Sequence, residues 1–475
     1  MLFPTTDFAI FFAVVFALHW VLNPHRRARK WFLLAASYAF YAWWDWRLVW
    51  LLLLVSAMAQ LGALWVERQA DERKRTRRAI VAAVALLLPL GWVKYYGFFA
   101  LSLANAFDGL GLSAPLPLLQ IVLPVGISFY TFMAISYVVD VSRLEIAPAP
   151  WLDVFVYLAF FPHLVAGPIV RGEELLPQVR RPRDPGSIDV SRAAYLIFGG
   201  LFKKVVVSSF LAAQIVDPVF GAPGAHSALE TLVAIYGYAI VIYTDFSGYT
   251  DIAIGLALLL GFEFPQNFDR PYSATSLQDF WRRWHITLSR WLRDYVYVPL
   301  GGNRRGEVRT TVNVMATMLL GGLWHGAGWT FVAWGGLHGF GQVLGRWRRR
   351  RRAERGLSPE PVSPGGVLRA RIVTFHLVCL GWVFFRAGSI GSAFEVLGRL
   401  VRGWDEPAEL VTPLVVLAIA GMLLLQNLPR SLAPALQRAF SRLGPVLQGA
   451  ALALVLFAIT TLGPKGVAPF IYFRF

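Results

Sequence analysis

The sequence predicts an all-α fold: a polytopic transmembrane helical bundle with re-entrant and interfacial helices. Three observations predict it. Hydrophobic residues make up 56% of the 475-residue chain and charged residues only 15%, where a soluble protein carries roughly 25% charged residues. The apolar residues fall in blocks, many of them long enough for the about 20 residues that a helix needs to cross a bilayer. Arginines cluster in the short stretches between those blocks, which is the pattern of cytoplasmic loops. The blocks run along the whole chain, so residues 1–475 read as a single domain.

These facts also narrow the function. The net charge of +17 does not point to nucleic acid, because the positive residues sit in loops that face an anionic leaflet. Membrane lipids are the expected partner. The single cysteine, Cys379, lies within an apolar block, which excludes an intrachain disulfide and a thiolate metal cluster. The N-terminal MLFPTTDFAIFFAVVF lacks the basic start of a cleaved signal and reads as a retained first span.

Taken in order, residues 6–22 and 31–44 are apolar blocks separated by NPHRRARK. Placing that linker in the cytoplasm puts the N-terminus outside. YAFYAWWDW is an aromatic belt at the outer interface, and 47–66 returns to the basic ERQADERKRTRR. Residues 79–101 cross again, with Lys94 snorkelling beside Tyr95 and Tyr96. Pro124 and Gly126 loosen the block at 117–139, and broken helices are tolerated where they line a cavity. The block at 151–170 carries Pro162, His163, Gly167 and Pro168. It is too interrupted for a plain span and reads as a re-entrant segment.

Residues 194–216 form a span with Lys203 and Lys204 near its start, and 229–262 holds Asp245 and Asp251. Carboxylates there are costly unless paired or wet. A basic loop follows at 346–370, and three further apolar blocks lie near 370–386, 410–428 and 447–463. No internal repeat is visible, and many transporters are built from duplicated halves. A transporter or flippase working through Lys203, Lys204, Asp245 and Asp251 stays open as a rival, as does a non-catalytic scaffold.

Two histidines stand out between these elements. Laid on a helix at about 100° per residue, Phe280, Trp284, Trp291 and Tyr295 share one side. Arg282, Arg283, Arg290 and Arg293 share the other. This predicts one basic amphipathic helix over 280–295 lying in the interface, with His285 at the border of its faces. His325 sits in LLGGLWHGAGWTFVAWGG, with no Asp, Glu, Lys or Arg between Arg309 and Arg346. A histidine at membrane depth is a functional candidate; the plain alternative is a helix-packing role for His325 and an ordinary amphipathic interface position for His285. A neutral imidazole can take the proton of a hydroxyl attacking an acyl group. No G-x-S-x-G, H-E-x-x-H or phosphate loop is present. No spacing groups His163, His285, His325 and His338 as metal ligands, so no metal is expected.

QNFDRPYSATSLQDFWRRWHITLSRWLRDYVYVPLGGNR, followed by GGLWHGAGWTFVAWGGLHG, resembles the membrane-bound O-acyltransferase family, in particular its bacterial alginate O-acetylation branch. YTDFSGYTDIAIG and the terminal FIYFRF resemble it as well. The resemblance implies that His325 is the catalytic histidine and His285 the second motif histidine. It implies a tunnel between a cytoplasmic thioester and an acceptor on the outer side, for which Asp245, Trp284, Arg282 and Asn303 are the candidate lining. It implies that Tyr472 of the terminal motif receives the acyl group as a relay. It further implies acetyl-CoA as donor with no bound cofactor, a periplasmic acetyltransferase partner, polysaccharide export machinery and a place in the bacterial inner membrane.

Overall fold

The computed structural model describes residues 1–112 and 124–462. Among these residues every regular element is a helix, so the fold is all-α as expected. Five of the described helices are long and apolar enough to cross a membrane, or six if Pro413–Asn427 and Leu432–Ser441, bent by 95°, act as one. The protein is a multi-pass membrane protein. The chain, expected to form one domain, groups into two compact units: Met1–Ala193 with Ala253–Pro265, and Ala194–Ile252 with Gln266–Phe475.

In the first unit, the Thr6–Val21 helix begins where the Thr5 hydroxyl accepts from the Phe8 amide, satisfying one of the unpaired N–H groups of a helix start. Arg26–Asp45, Val49–Glu67 and Glu72–Leu90 follow, the last running through a π-helical stretch, Gly91–Tyr95, into Tyr96–Gly109. Lys94 donates to Ser128 Oγ at 3.4 Å. The interrupted block folds as two short helices, Trp151–Ala159 and Phe161–Leu164, and both pack in the interior. The buried Asp153 is held by Lys30 at 2.5 Å and Arg180 at 3.3 Å. Gly126 precedes the Ile127–Ser142 helix with φ +77, and a Cβ there would lie 2.3 Å from the Leu164 carbonyl. The position therefore requires glycine on two counts.

In the second unit, Lys203 and Lys204 lie within the candidate span Val190–Gly221, which covers the block expected at 194–216. They sit in a π-helical stretch, Phe202–Ser208, the kind of insertion that often marks functional sites. Both reach the Ala228–Leu259 helix. Lys204 pairs with Asp245, and Lys203 pairs with Asp251 while also donating to Ser247 Oγ at 3.1 Å. The two carboxylates that needed partners at membrane depth have them.

Gly306–His325 and Trp329–Glu354 form a helical hairpin around the short turn Gly326–Gly328. A Cβ on Gly335 would lie 2.4 Å from the Met318 carbonyl oxygen. Small residues let helix backbones approach this closely in membranes. Replacing Gly335 by leucine therefore drives the hairpin apart and costs about 1–3 kcal/mol or more. A lowered thermal midpoint in detergent, with loss of activity, is the expected measurement; an unchanged midpoint contradicts the packing.

The basic run expected as a loop over 346–370 is not one throughout. Trp329–Glu354 continues as helix through its arginines, and Pro364–Arg386 begins soon after. Arginine is a good helix former, and charge alone gave no breaker before Gly356. Ile390–Arg399, Pro413–Asn427, Leu432–Ser441 and Pro445–Leu462 complete the described chain.

Candidate active site

The stretch 280–295 is two helices, Leu277–Arg283 and Ile286–Leu292, followed by a π-helical stretch, Arg293–Tyr297. The first is capped by Ser276 Oγ, which accepts from the Asp279 amide at 3.1 Å. Trp284 is extended, and His285 takes the left-handed conformation with φ +41. That conformation costs a non-glycine residue on the order of 1–3 kcal/mol and persists only where the surroundings hold it.

Asn267 holds it. Its backbone carbonyl accepts from the Ile286 amide at 2.9 Å, and its side-chain Oδ1 accepts from the Thr287 amide at 3.1 Å and the Thr287 hydroxyl at 2.9 Å. These are the first N–H groups of the second helix, so a residue 20 positions upstream caps it. The helical-face reading survives the break, since Phe280, Trp281, Leu288 and Trp291 are buried while Arg282, Arg290 and Arg293 are exposed. The position of His285 does not survive it. The side chain is fully buried rather than at a border, because the left-handed turn swings it inward.

His325 ends the Gly306–His325 helix and is also buried. Its ring lies 5.0 Å from Trp324, 4.9 Å from Trp334 and 5.2 Å from Phe385. Trp324 in turn lies 5.8 Å from His285, whose ring also meets Phe246 edge-on at 4.7 Å. The two histidines, 40 residues apart in sequence, thus flank one indole. Of the remaining expected lining, Trp284 is buried against Phe280 and Trp382, and Asp245 is engaged by Lys204. Arg282 and Asn303 are exposed, Asn303 in the turn before Gly306. Tyr472 lies outside the described residues.

A third histidine belongs to this cluster. His338 packs on Trp334 at 4.8 Å and accepts from the Trp281 indole at 3.2 Å. The sequence carries the signal in the four-residue spacing of Trp334 and His338, which places both on one helix face. Beside Trp281 opens a pocket of about 620 Å³ lined by Trp281 and Met318 and by Arg293, Arg346, Arg349 and Arg350. Glu307 on its rim is hydrogen-bonded by Arg346 at 3.1 Å, which holds its carboxyl below the usual range. Among the described residues no set of side chains is grouped to hold a metal ion.

Residues 33–357 match the membrane-bound O-acyltransferase family. The chain belongs to the membrane-bound O-acyltransferase family. This O-acyltransferase is 35% identical to a probable alginate O-acetylase of Azotobacter vinelandii over the full length of both chains. It is 39% identical to a probable alginate O-acetylase of Pseudomonas aeruginosa over 83% of this chain and 74% of the relative. A peptidoglycan O-acetyltransferase of Helicobacter pylori is 34% identical over 78% of this chain and 73% of the relative. The enzyme class is therefore acyl transfer to oxygen.

Proposed function

We propose that this O-acyltransferase takes an acetyl group from a cytoplasmic thioester, acetyl-CoA, and passes it across the bacterial inner membrane toward an exported polysaccharide. The observation that carries the reading is a continuous line of rings from the arginine-rimmed pocket to the histidines. Trp281 lines the pocket and donates to His338, His338 packs on Trp334, and Trp334 packs on His325. Guanidinium groups suit the phosphates of coenzyme A, and the thioester arm would point along that line. The relatives named for alginate and peptidoglycan acetylation support an extracellular glycan as acceptor.

His325 acts as general base. It takes the proton from an acceptor hydroxyl while that oxygen bonds to the thioester carbonyl carbon. The C–S bond then breaks, and the proton passes to the departing thiolate. Tyr472 is the candidate first acceptor, and a periplasmic acetyltransferase working with the export machinery completes transfer to the sugar. The Lys203–Asp251 and Lys204–Asp245 pairs satisfy the charges on which a transport reading rested.

The test is labelled acetyl-CoA supplied to the enzyme in oriented vesicles. Replacing Arg349 by alanine is expected to raise KM for the donor about tenfold, the worth of one charge-assisted hydrogen bond, with little change in kcat. An unchanged KM, or labelling only from the opposite side, overturns the donor assignment.

A further inference from the structure

We infer that Asn267 is a positioning residue that fixes which nitrogen of His285 carries the proton, leaving Nε2 as the acceptor. An amide side chain can present either oxygen or nitrogen, and the choice is read from its partners. Here the partners decide it. The Thr287 backbone N–H can only donate, and it lies 3.1 Å from Asn267 Oδ1, so that atom is the carbonyl oxygen. The same oxygen lies 3.2 Å from His285 Nδ1. An oxygen accepts, so Nδ1 of the neutral ring must be the protonated nitrogen, and Nε2 carries the lone pair. The hydrogen bond at one ring nitrogen sets the state of the other.

The arrangement is held from several sides. Asn267 is buried. Its backbone carbonyl also accepts from Ile286, so it grips the residues on the C-terminal side of His285 through both backbone and side chain. The left-handed conformation of His285 turns the imidazole toward that oxygen. Phe246 and Trp324 then hold the ring from the Ala228–Leu259 and Gly306–His325 helices. His338 shows the opposite state by the same logic. The Trp281 indole can only donate, and it donates to His338 Nδ1, so the neutral His338 ring carries its proton on Nε2. The cluster therefore holds two imidazoles with opposite tautomers, each set by a neighbour whose donor or acceptor role cannot change. A wrong tautomer disables a base even where the geometry is intact.

The expected kinetic effect rests on His285 taking part in the reaction while the tautomer assignment does not, and the experiment separates the two. The full-length protein is labelled with ¹⁵N-histidine in lipid vesicles, and the His285 signals are assigned by their loss in His285→Gln. The expected spectrum shows a protonated Nδ1 and an unprotonated Nε2 for His285. Asn267→Leu is expected to mix or invert that pattern and to lower kcat roughly 10- to 100-fold, the scale of losing an orienting partner, with KM for the thioester unchanged. Asn267→Asp keeps the accepting oxygen and retains the tautomer, and it separates loss of positioning from loss of fold. A protonated Nε2 on His285 in the parent protein, or an unaltered spectrum in Asn267→Leu, overturns the inference. Full activity in His285→Gln with the expected parent spectrum would instead overturn the catalytic reading and leave the tautomer assignment standing.

Discussion

Replacing His325 by alanine is expected to leave the protein in the membrane in normal amount and, on the proposed function, to lower acyl transfer by roughly 10²- to 10⁴-fold, the usual worth of a general base. The reason for expecting folding to survive is local. His325 is the last residue of its helix, and the next residue, Gly326, is extended. The substitution therefore disturbs no helix interior. The packing cost is the loss of one ring from a nest of Trp324, Trp334 and Phe385, a cavity that lowers the thermal midpoint by some degrees without unfolding the hairpin. His325→Gln, which keeps much of the volume, should melt closer to the parent and be as inactive as alanine. Activity retained in both variants, measured as acetylated polymer and as donor consumption, would remove His325 from the reaction.

Breaking the Lys204–Asp245 pair has the largest expected effect on stability. Both side chains are buried, and Ser208 Oγ lies 3.4 Å from the same carboxylate oxygen. Removing one member leaves a buried charge without its counter-ion, which costs about 3–5 kcal/mol. Lys204→Met or Asp245→Leu alone should sharply lower the yield of folded protein and its thermal midpoint. The double variant should recover most of the loss, because an apolar pair of similar volume often matches a buried ion pair. Additive loss in the double variant would show that the two charges do not stabilise each other. Lys203 and Asp251 are more exposed, so the same exchange there is expected to cost less.

The all-helical, membrane-spanning architecture was legible because apolar runs of sufficient length permit little else once backbone hydrogen bonds must be met within lipid. The partners of Asp245 and Asp251 were half legible. Their need for counter-ions followed from burial, but the π-helical stretch that brings Lys203 and Lys204 to them leaves no mark in a hydrophobicity pattern. The break at His285 was hidden for a similar reason. Residues 280–295 carry a consistent helical face, and what interrupts them is Asn267, far upstream in an irregular segment. The run of arginines after Arg346 read as a loop because its charge was weighed more heavily than its helix propensity. His338 was visible in the sequence but had no reason to be grouped with His325 until Trp334 was seen between them.

The Trp329–Glu354 helix has one consequence beyond its packing. It carries Trp334 and His338 at one end and Arg346 to Arg350 toward the other, and the sixteen-residue step from Trp334 to Arg350 spans about 24 Å. On the proposed function, one continuous helix therefore carries both the arginines offered to the donor and the rings packed against the base.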